Sequence, residues 1–248
     1  MKASVSPLAL IFASFFLLLG PLAGQAQDVV VQKNDGSHRE GKILGVKSDS
    51  ISIKIGPVTT GIPMSNVASV QMEPPKPYLD ALELWQKGDA AKTLAALGPV
   101  VEQFNGLSTK WAQRASALLG EVYLSMDNLP KAEAAFATFQ KLYPNAGASA
   151  DVGLARLAIA KKDFSGARAK LVPIVEQAKA TKIPATGTSA TYGQALYLLG
   201  VVQESSAEDA EALENYLLAV TLFHEDQAVV AKAQERADAL KAKKTIVP

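Results

Sequence analysis

The chain has 248 residues and contains no cysteine. This absence excludes disulfide bonds, thiolate nucleophiles and cysteine metal ligands, as well as the modified cysteine that anchors a bacterial lipoprotein. Histidine is nearly absent too, with two residues in the whole chain. Stability must therefore come from packing alone, and few side chains remain for nucleophilic or metal chemistry.

The chain also lacks an excess of either charge, because 25 Lys and Arg residues face 24 Asp and Glu residues. A protein that binds phosphate backbones needs a clustered positive surface, so nucleic acid is not an expected partner. The composition is otherwise ordinary, with 48% hydrophobic and 20% charged residues. It suits a soluble globular protein with one large or two small cores.

The amino terminus has the pattern of a secretory signal peptide. Lys2 precedes the apolar run Leu8–Leu19, and the small-residue segment LAGQAQ follows a Gly-Pro pair. A membrane-spanning helix needs about 20 apolar residues, and this run is shorter. The alternatives to a signal peptide are a membrane anchor and a buried helix. We predict a signal peptide over residues 1–26, cleaved after Ala26, and a periplasmic or secreted protein without a membrane span after cleavage.

Residues 28–72 alternate apolar and polar positions with a period of two, which is typical of half-buried strands. Turn signals such as Asn34-Asp35-Gly36 and Gly56-Pro57 separate the runs. Since five short strands in an open sheet cannot bury both faces, we expect them to close into a small barrel over residues 27–73. The predicted strands are 28–33, 39–46, 50–55, 58–62 and 67–72.

This segment resembles the small SH3-like or Sm-like barrels of exported bacterial proteins. The resemblance lies in the DG turn, the EGKI strand at residues 40–43 and the IP..NV..V ending at residues 62–70. Some Sm-type relatives bind RNA or form rings. Five basic and four acidic residues between positions 28 and 72 provide no phosphate-binding surface. The resemblance therefore implies a spacer, docking or oligomerisation role.

A proline-rich segment, PPKP at residues 74–77, follows the strands. Proline lacks a backbone N–H and favours an extended, semi-rigid connection. We predict a linker here between two domains.

The chain then becomes rich in Ala, Leu, Lys and Glu with helical spacing, most clearly at residues 118–144. Leu119-Gly120-x-x-Tyr123, followed by Ala132-x-x-x-Phe136 and Pro144, resembles the signature of the tetratricopeptide repeat (TPR). Only the leading tryptophan is missing, since Ser116 stands in its place. Small residues would let two helices approach closely, with the aromatic side chains filling the space between them.

Weaker copies of this unit recur along the chain. The equivalent small-residue positions are 93, 132, 167 and 212, at intervals of 39, 35 and 45 residues, with loops at 104–108 and 182–191. We predict about four TPR-like repeats over residues 78–244, with a capping helix at 226–244. The alternative is an unrelated bundle of helical hairpins.

Motifs that carry chemistry are missing. His224-Glu225 begins like a zinc-protease motif, but Ala228 stands where the second histidine ligand is required. His38 follows a turn and fits a surface loop. The carboxylates at residues 208–211 and 225–226 fall at predicted helix starts, where negative charge favours the helix dipole. We expect no catalytic residues, no metal and no cofactor.

The TPR resemblance instead implies a concave groove lined by the first helix of each repeat, which holds a peptide or partner helix. Trp85 and Tyr197 could equally be core residues, and Arg114 and Arg156 could simply be solvated, although an arginine fork suits a partner carboxylate. The candidate binding residues are Tyr78, Leu82, Trp85, Arg114, Glu121, Leu124, Arg156, Ile159, Tyr197, Val201 and Glu204.

The expected fold is thus multi-domain, a five-stranded β barrel followed by an α-helical TPR solenoid of antiparallel helix pairs. The expected function is a non-enzymatic exported adaptor that binds a protein or peptide partner in the cell envelope. The alternatives are a self-assembling structural protein of the envelope, forming a homo-oligomer, and a regulatory subunit of an envelope enzyme or transport complex. An Sm-like RNA binder is the least favoured alternative.

Overall fold

A computed structural model describes residues 28–32, 36–181 and 188–243. The predicted signal peptide and part of the predicted loop at 182–191 lie outside these residues. The described part of the chain contains five strands followed by nine helices.

The strands are all antiparallel and lie in the order β4-β3-β2-β1-β5. A short 3-10 helix, Met64–Asn66, separates β4 from β5. The strands lie within two residues of their predicted limits at each end. Their bounds are β1 Asp28–Gln32, β2 His38–Lys47, β3 Ser50–Ile55, β4 Val58–Pro63 and β5 Val67–Gln71.

The helices form hairpins with a recurring turn. In four of the turns, the residue before the second helix's N-cap has positive φ: Gly88, Asp127, Lys162 and Ala207. Such a residue ends the first helix, and the next begins immediately. The bounds are α1 Lys76–Gln86, α2 Ala90–Phe104, α3 Lys110–Ser125, α4 Leu129–Leu142, α5 Ala148–Ala160, α6 Phe164–Ala180, α7 Thr188–Ser205, α8 Asp209–Thr221 and α9 Gln227–Lys243.

The sheet is not closed into a barrel, so this expectation is wrong. Among the described residues β4 and β5 do not pair, and each forms an edge of the sheet. The expectation assumed that the strands must cover their own apolar face. Instead, Ile43, Ile51 and Val67 share one buried cluster with residues of α1, α2 and α3. Because these helices remove the apolar face from water, closure is not required.

Two side-chain hydrogen bonds join the sheet to the helices. The Gln103 amide of α2 donates to the Leu44 carbonyl at 2.7 Å, and the Trp111 indole of α3 donates to the Met72 carbonyl at 2.9 Å. Gly45 allows the first contact, since an added Cβ would lie 2.5 Å from the Gln103 carbonyl oxygen. The predicted linker begins between β5 and α1, but its last two residues form the start of α1. The division into two domains stays a prediction.

Each helix packs against the next along the chain. In addition, α3 contacts α5, α5 contacts α7, and α7 contacts α9. The ring of Tyr78 on α1 lies 5.8 Å from that of Trp111 on α3. The odd-numbered helices therefore follow one another as a continuous layer, whose exposed surface we call the odd-helix face.

Glycine set against an aromatic ring brings the helices together. A methyl group added to Gly120 of α3 would lie 2.6 Å from the buried ring of Phe136, and one added to Gly153 of α5 would lie 2.5 Å from the same ring. Gly200 of α7 stands in the same relation to Tyr216 of α8, at 2.5 Å. These distances leave no room for a Cβ, so the helix approach requires glycine at these positions.

We predict that Gly120→Ala lowers the free energy of unfolding by about 1–3 kcal/mol, because overpacking outweighs the gain in helix propensity. Gly98→Ala in α2 is the matched control. A Cβ at Gly98 meets no atom within 4 Å, so this change should stabilise the protein by about 0.5–1 kcal/mol. Urea unfolding measures both values. Equal stabilisation by the two changes would contradict the packing described here.

Candidate functional site

All eleven candidate residues lie on the odd-numbered helices α1, α3, α5 and α7. The structure therefore places them on elements of one layer. They differ in how much surface they present, and they fall into three groups along the layer.

The first group lies on α1 and the start of α3. Tyr78 is only 3% exposed and belongs to the shared core. Burial raises the pKa of its phenol, and the nearby positive charge of Arg114 opposes this shift. Leu82 and Trp85 are half-buried against the same core, whereas Arg114 is exposed. Of these four, Arg114 is the most accessible to a partner.

The second group joins α3 to α5. The guanidinium of Arg156 lies 3.0 Å from the carboxylate of Glu121, with about a quarter of each side chain exposed. Leu124 and Ile159, from the same two helices, are half-buried. The predicted arginine clamp is thus already engaged by an acid of the same chain.

The third group surrounds Glu204 of α7. Its carboxylate accepts a hydrogen bond from the Tyr216 hydroxyl at 2.5 Å and two from Arg236 of α9, both at 3.1 Å. Tyr197 packs its ring 5.9 Å from that of Tyr216, and the half-buried Val201 packs against the same core. Burial and the bond to Glu204 together raise the pKa of Tyr216. The hydroxyl therefore stays protonated and the network stays intact at neutral pH.

A cavity of about 410 Å³ opens beside this network, between α7 and α9. Tyr197 and Glu204 line it from α7, and Lys232 and Arg236 line it from α9. Sequence reasoning missed the two basic residues because α9 was interpreted only as a capping helix. Their spacing of four on one helix, which puts both on one face, was the available signal.

Two further cavities, of about 560 and 350 Å³, lie between α2, α3 and α4. None of the eleven candidates lines them. Sequence reasoning gave no indication of this region, since it treated α2 and α4 only as the packing partners of the odd helices.

The three groups of candidate residues form a surface that a partner can contact. Within the described residues, no group of three His, Asp or Glu side chains could hold a metal ion. His38 and His224 are both exposed, on β2 and after α8 respectively. That the protein is not an enzyme stays a prediction.

No protein-family model matches the chain, and no curated protein matches it either. In the part of the chain that the structure covers, no helix combines the length and apolarity needed to cross a bilayer. The TPR resemblance therefore depends on the signature residues and on helix packing.

Tyr216→Phe tests the network around Glu204. Losing a hydrogen bond to a charged acceptor should lower the free energy of unfolding by about 1.5–3 kcal/mol at neutral pH. The pKa of Tyr216 is raised in the folded state, so its contribution is fully present below pH 10 and decreases as the pH rises above 10. Urea unfolding between pH 7 and pH 11 should show a smaller alkaline loss in the variant than in the wild type.

Burial also raises the pKa of Tyr143, to about 12, so Tyr143 accounts for part of the remaining alkaline loss. The matched control is Tyr143→Phe, which leaves Glu204 untouched and should keep the contribution of Tyr216. An alkaline loss that is unchanged by Tyr216→Phe would show that the hydroxyl is not held as described.

Proposed function

We propose that this protein is a non-enzymatic, exported adaptor of the cell envelope, built on TPR-like repeats, whose odd-helix face binds a protein or peptide partner. The observation that carries the proposal is the continuous contact from α3 to α5 to α7 to α9. In stacked helical repeats, such a layer forms an extended surface that can follow a partner segment.

The repeat-like construction supports the TPR part of the proposal. Four turns use a positive-φ residue before the next helix, and buried Ala132, Ala167 and Ala212 occupy the small-residue position of the second helices. Glycine of the first helix faces an aromatic ring of the second at Gly120–Phe136 and at Gly200–Tyr216. An unrelated hairpin bundle would not need the same residue types at the same places.

The charges on this face indicate how a partner binds. The Glu121–Arg156 and Glu204–Arg236 pairs are formed within the chain, so a partner charge would have to displace an internal one. Contact through the half-buried apolar side chains between these pairs, such as Ile159, avoids that cost. We therefore expect an apolar helix or extended segment as the partner, with Arg114 supplying an exposed charge at one end.

Arg114→Glu should weaken partner binding about tenfold, equivalent to about 1.4 kcal/mol. The change reverses the exposed charge at one end of the half-buried apolar side chains that we expect to contact the partner. The partner is first obtained by crosslinking the mature chain in envelope extracts, and its affinity is then measured by calorimetry. Stability should change by no more than about 0.5 kcal/mol, as is usual for an exposed site.

Lys141→Glu is the matched control, since Lys141 is exposed on the even-numbered helix α4. It should leave the affinity unchanged. A partner whose affinity falls with Lys141→Glu and not with Arg114→Glu would place the binding surface on the other side of the repeats.

A second candidate function, self-assembly through the sheet, is favoured by the free edge of β4. This strand pairs only with β3 among the described residues, contains no charged side chain, and exposes 61% of Val58. Proteins usually protect such an edge with charge, because an open edge can pair with a strand of another chain.

If self-assembly occurs, Val58→Lys should convert the oligomer to a monomer in light scattering, because charge opposes strand pairing. Leu222→Lys is the matched control, since Leu222 is 60% exposed but lies at the end of α8. The idea fails if the wild type is already monomeric, or if both variants keep the oligomer.

A further inference from the structure

The larger cavity, between α2 and α3, and the smaller one, which also reaches α4, form one continuous cleft, because they share the lining residues Val101, Asn105, Leu119 and Tyr123. We call this region the α2–α4 cleft. Its walls are α2 and α4, and its floor is α3. Its volumes of about 560 and 350 Å³ are of the size that ligand pockets have.

A polar atom at the centre of the cleft lacks a partner. Asn105 forms the C-cap of α2, where its backbone N–H donates to the Val101 carbonyl. Its side-chain oxygen Oδ1 is buried and has no hydrogen-bond donor among the described residues. A buried acceptor without a donor costs about 1–3 kcal/mol. This oxygen has less than 1 Å² of accessible surface, so a ligand N–H pairs with it only when the Asn105 side chain turns towards the cleft.

The charges at the two ends of the cleft are also unpaired. Glu102 lines one end and forms no ion pair with a described residue. Lys131 lines the other end, where its ammonium lies 5.6 Å from the centre of the Tyr123 ring and likewise lacks a carboxylate partner in the described part of the chain. The two side chains of opposite charge form no ion pair with each other, and the cleft between them is open.

Elsewhere along the even-numbered helices, ion pairs bridge the corresponding gaps. Arg168 and Lys179 of α6 reach Glu208 and Glu214, at the start of and within α8, at 2.8 and 2.7 Å. Lys161, in the turn before α6, reaches across to α4 at 2.6 Å. Among the described residues, no ion pair joins α2 to α4, so the gap between these helices stays accessible.

A comparison of α2 with α6 shows what keeps the cleft open. The helices share the pattern L-x-P-[VI]-V-E-Q, at residues 97–103 and 171–177. Where α6 carries Val172, α2 carries Gly98, and a Cβ at Gly98 would meet no atom within 4 Å. The absence of a side chain at Gly98 therefore widens the cleft at this point.

We propose that the α2–α4 cleft binds an extended segment of a partner polypeptide that carries a basic residue, an apolar residue and an acidic residue in succession. The basic side chain contacts Glu102, and the apolar side chain packs on Leu119 and Tyr123. The Asn105 side chain turns towards the cleft so that its Oδ1 accepts a hydrogen bond from a backbone N–H of the segment, and the acidic side chain contacts Lys131. The cleft is lined by none of the eleven candidate residues of the odd-helix face, so the inference does not rest on the proposed function.

The probe is the blocked tripeptide acetyl-Lys-Leu-Glu-amide, titrated into the full mature chain and followed by amide chemical shifts in NMR. The shifts of Leu119 and Tyr123 should saturate with a Kd on the order of 1 mM, as a small ligand with few contacts allows. The control peptide acetyl-Lys-Ala-Glu-amide, which lacks the apolar side chain, should bind at least about fivefold more weakly.

Gly98→Leu places a side chain in the cleft, where its Cβ meets no atom within 4 Å, and should abolish the saturable shifts while retaining or raising stability. Glu102→Gln should weaken binding several-fold and reduce its salt dependence. Ala91→Leu, at an exposed position of α2 outside the cleft, should bind like the wild type. No saturation, unchanged binding by Gly98→Leu, or shifts confined to α5 and α7 would each overturn the proposal.

Discussion

The close contact between a helical glycine and a buried aromatic ring is the constraint on which the helical part depends. Phe136 lies between Gly120 and Gly153, so one ring fixes the approach of α3, α4 and α5. Tyr216 against Gly200 repeats the arrangement near the carboxyl end. Because side chains at these points would push each odd-numbered helix away from its even-numbered neighbour, glycine sets the spacing between the two sets of helices. In the proposed function, the layer of odd-numbered helices provides the partner surface.

The sheet and the first helices depend on a second shared element, their common core. Val30, Ile53 and Val70 bury their side chains together with Leu97 and Trp111. Since the helices cover the apolar face, the strands stay open at both edges. One edge, β4, thereby remains available for strand pairing, while the helical layer is available for a partner. The same packing accounts for both proposed surfaces.

The strands, the helices and the Gly120–Phe136 contact could be predicted from the sequence because each leaves a local period or spacing. Closure of the sheet could not, because a period of two shows that one face is buried but not what buries it. The pairing of Glu121 with Arg156 depends on how two helices 35 residues apart meet, which no local pattern reveals. The α2–α4 cleft depends on a missing side chain at Gly98, and its effect appears only when α4 is in place.

Partner binding by the odd-helix face is the central claim, and site-specific photocrosslinking in intact cells tests it most directly. A photoreactive amino acid is placed at Arg114 or Val201, on the odd-helix face, and at Lys141, on an even-numbered helix, and the adducts are compared. The account predicts one partner adduct, shared by positions 114 and 201 and absent at 141. Adducts at position 141 alone would contradict it.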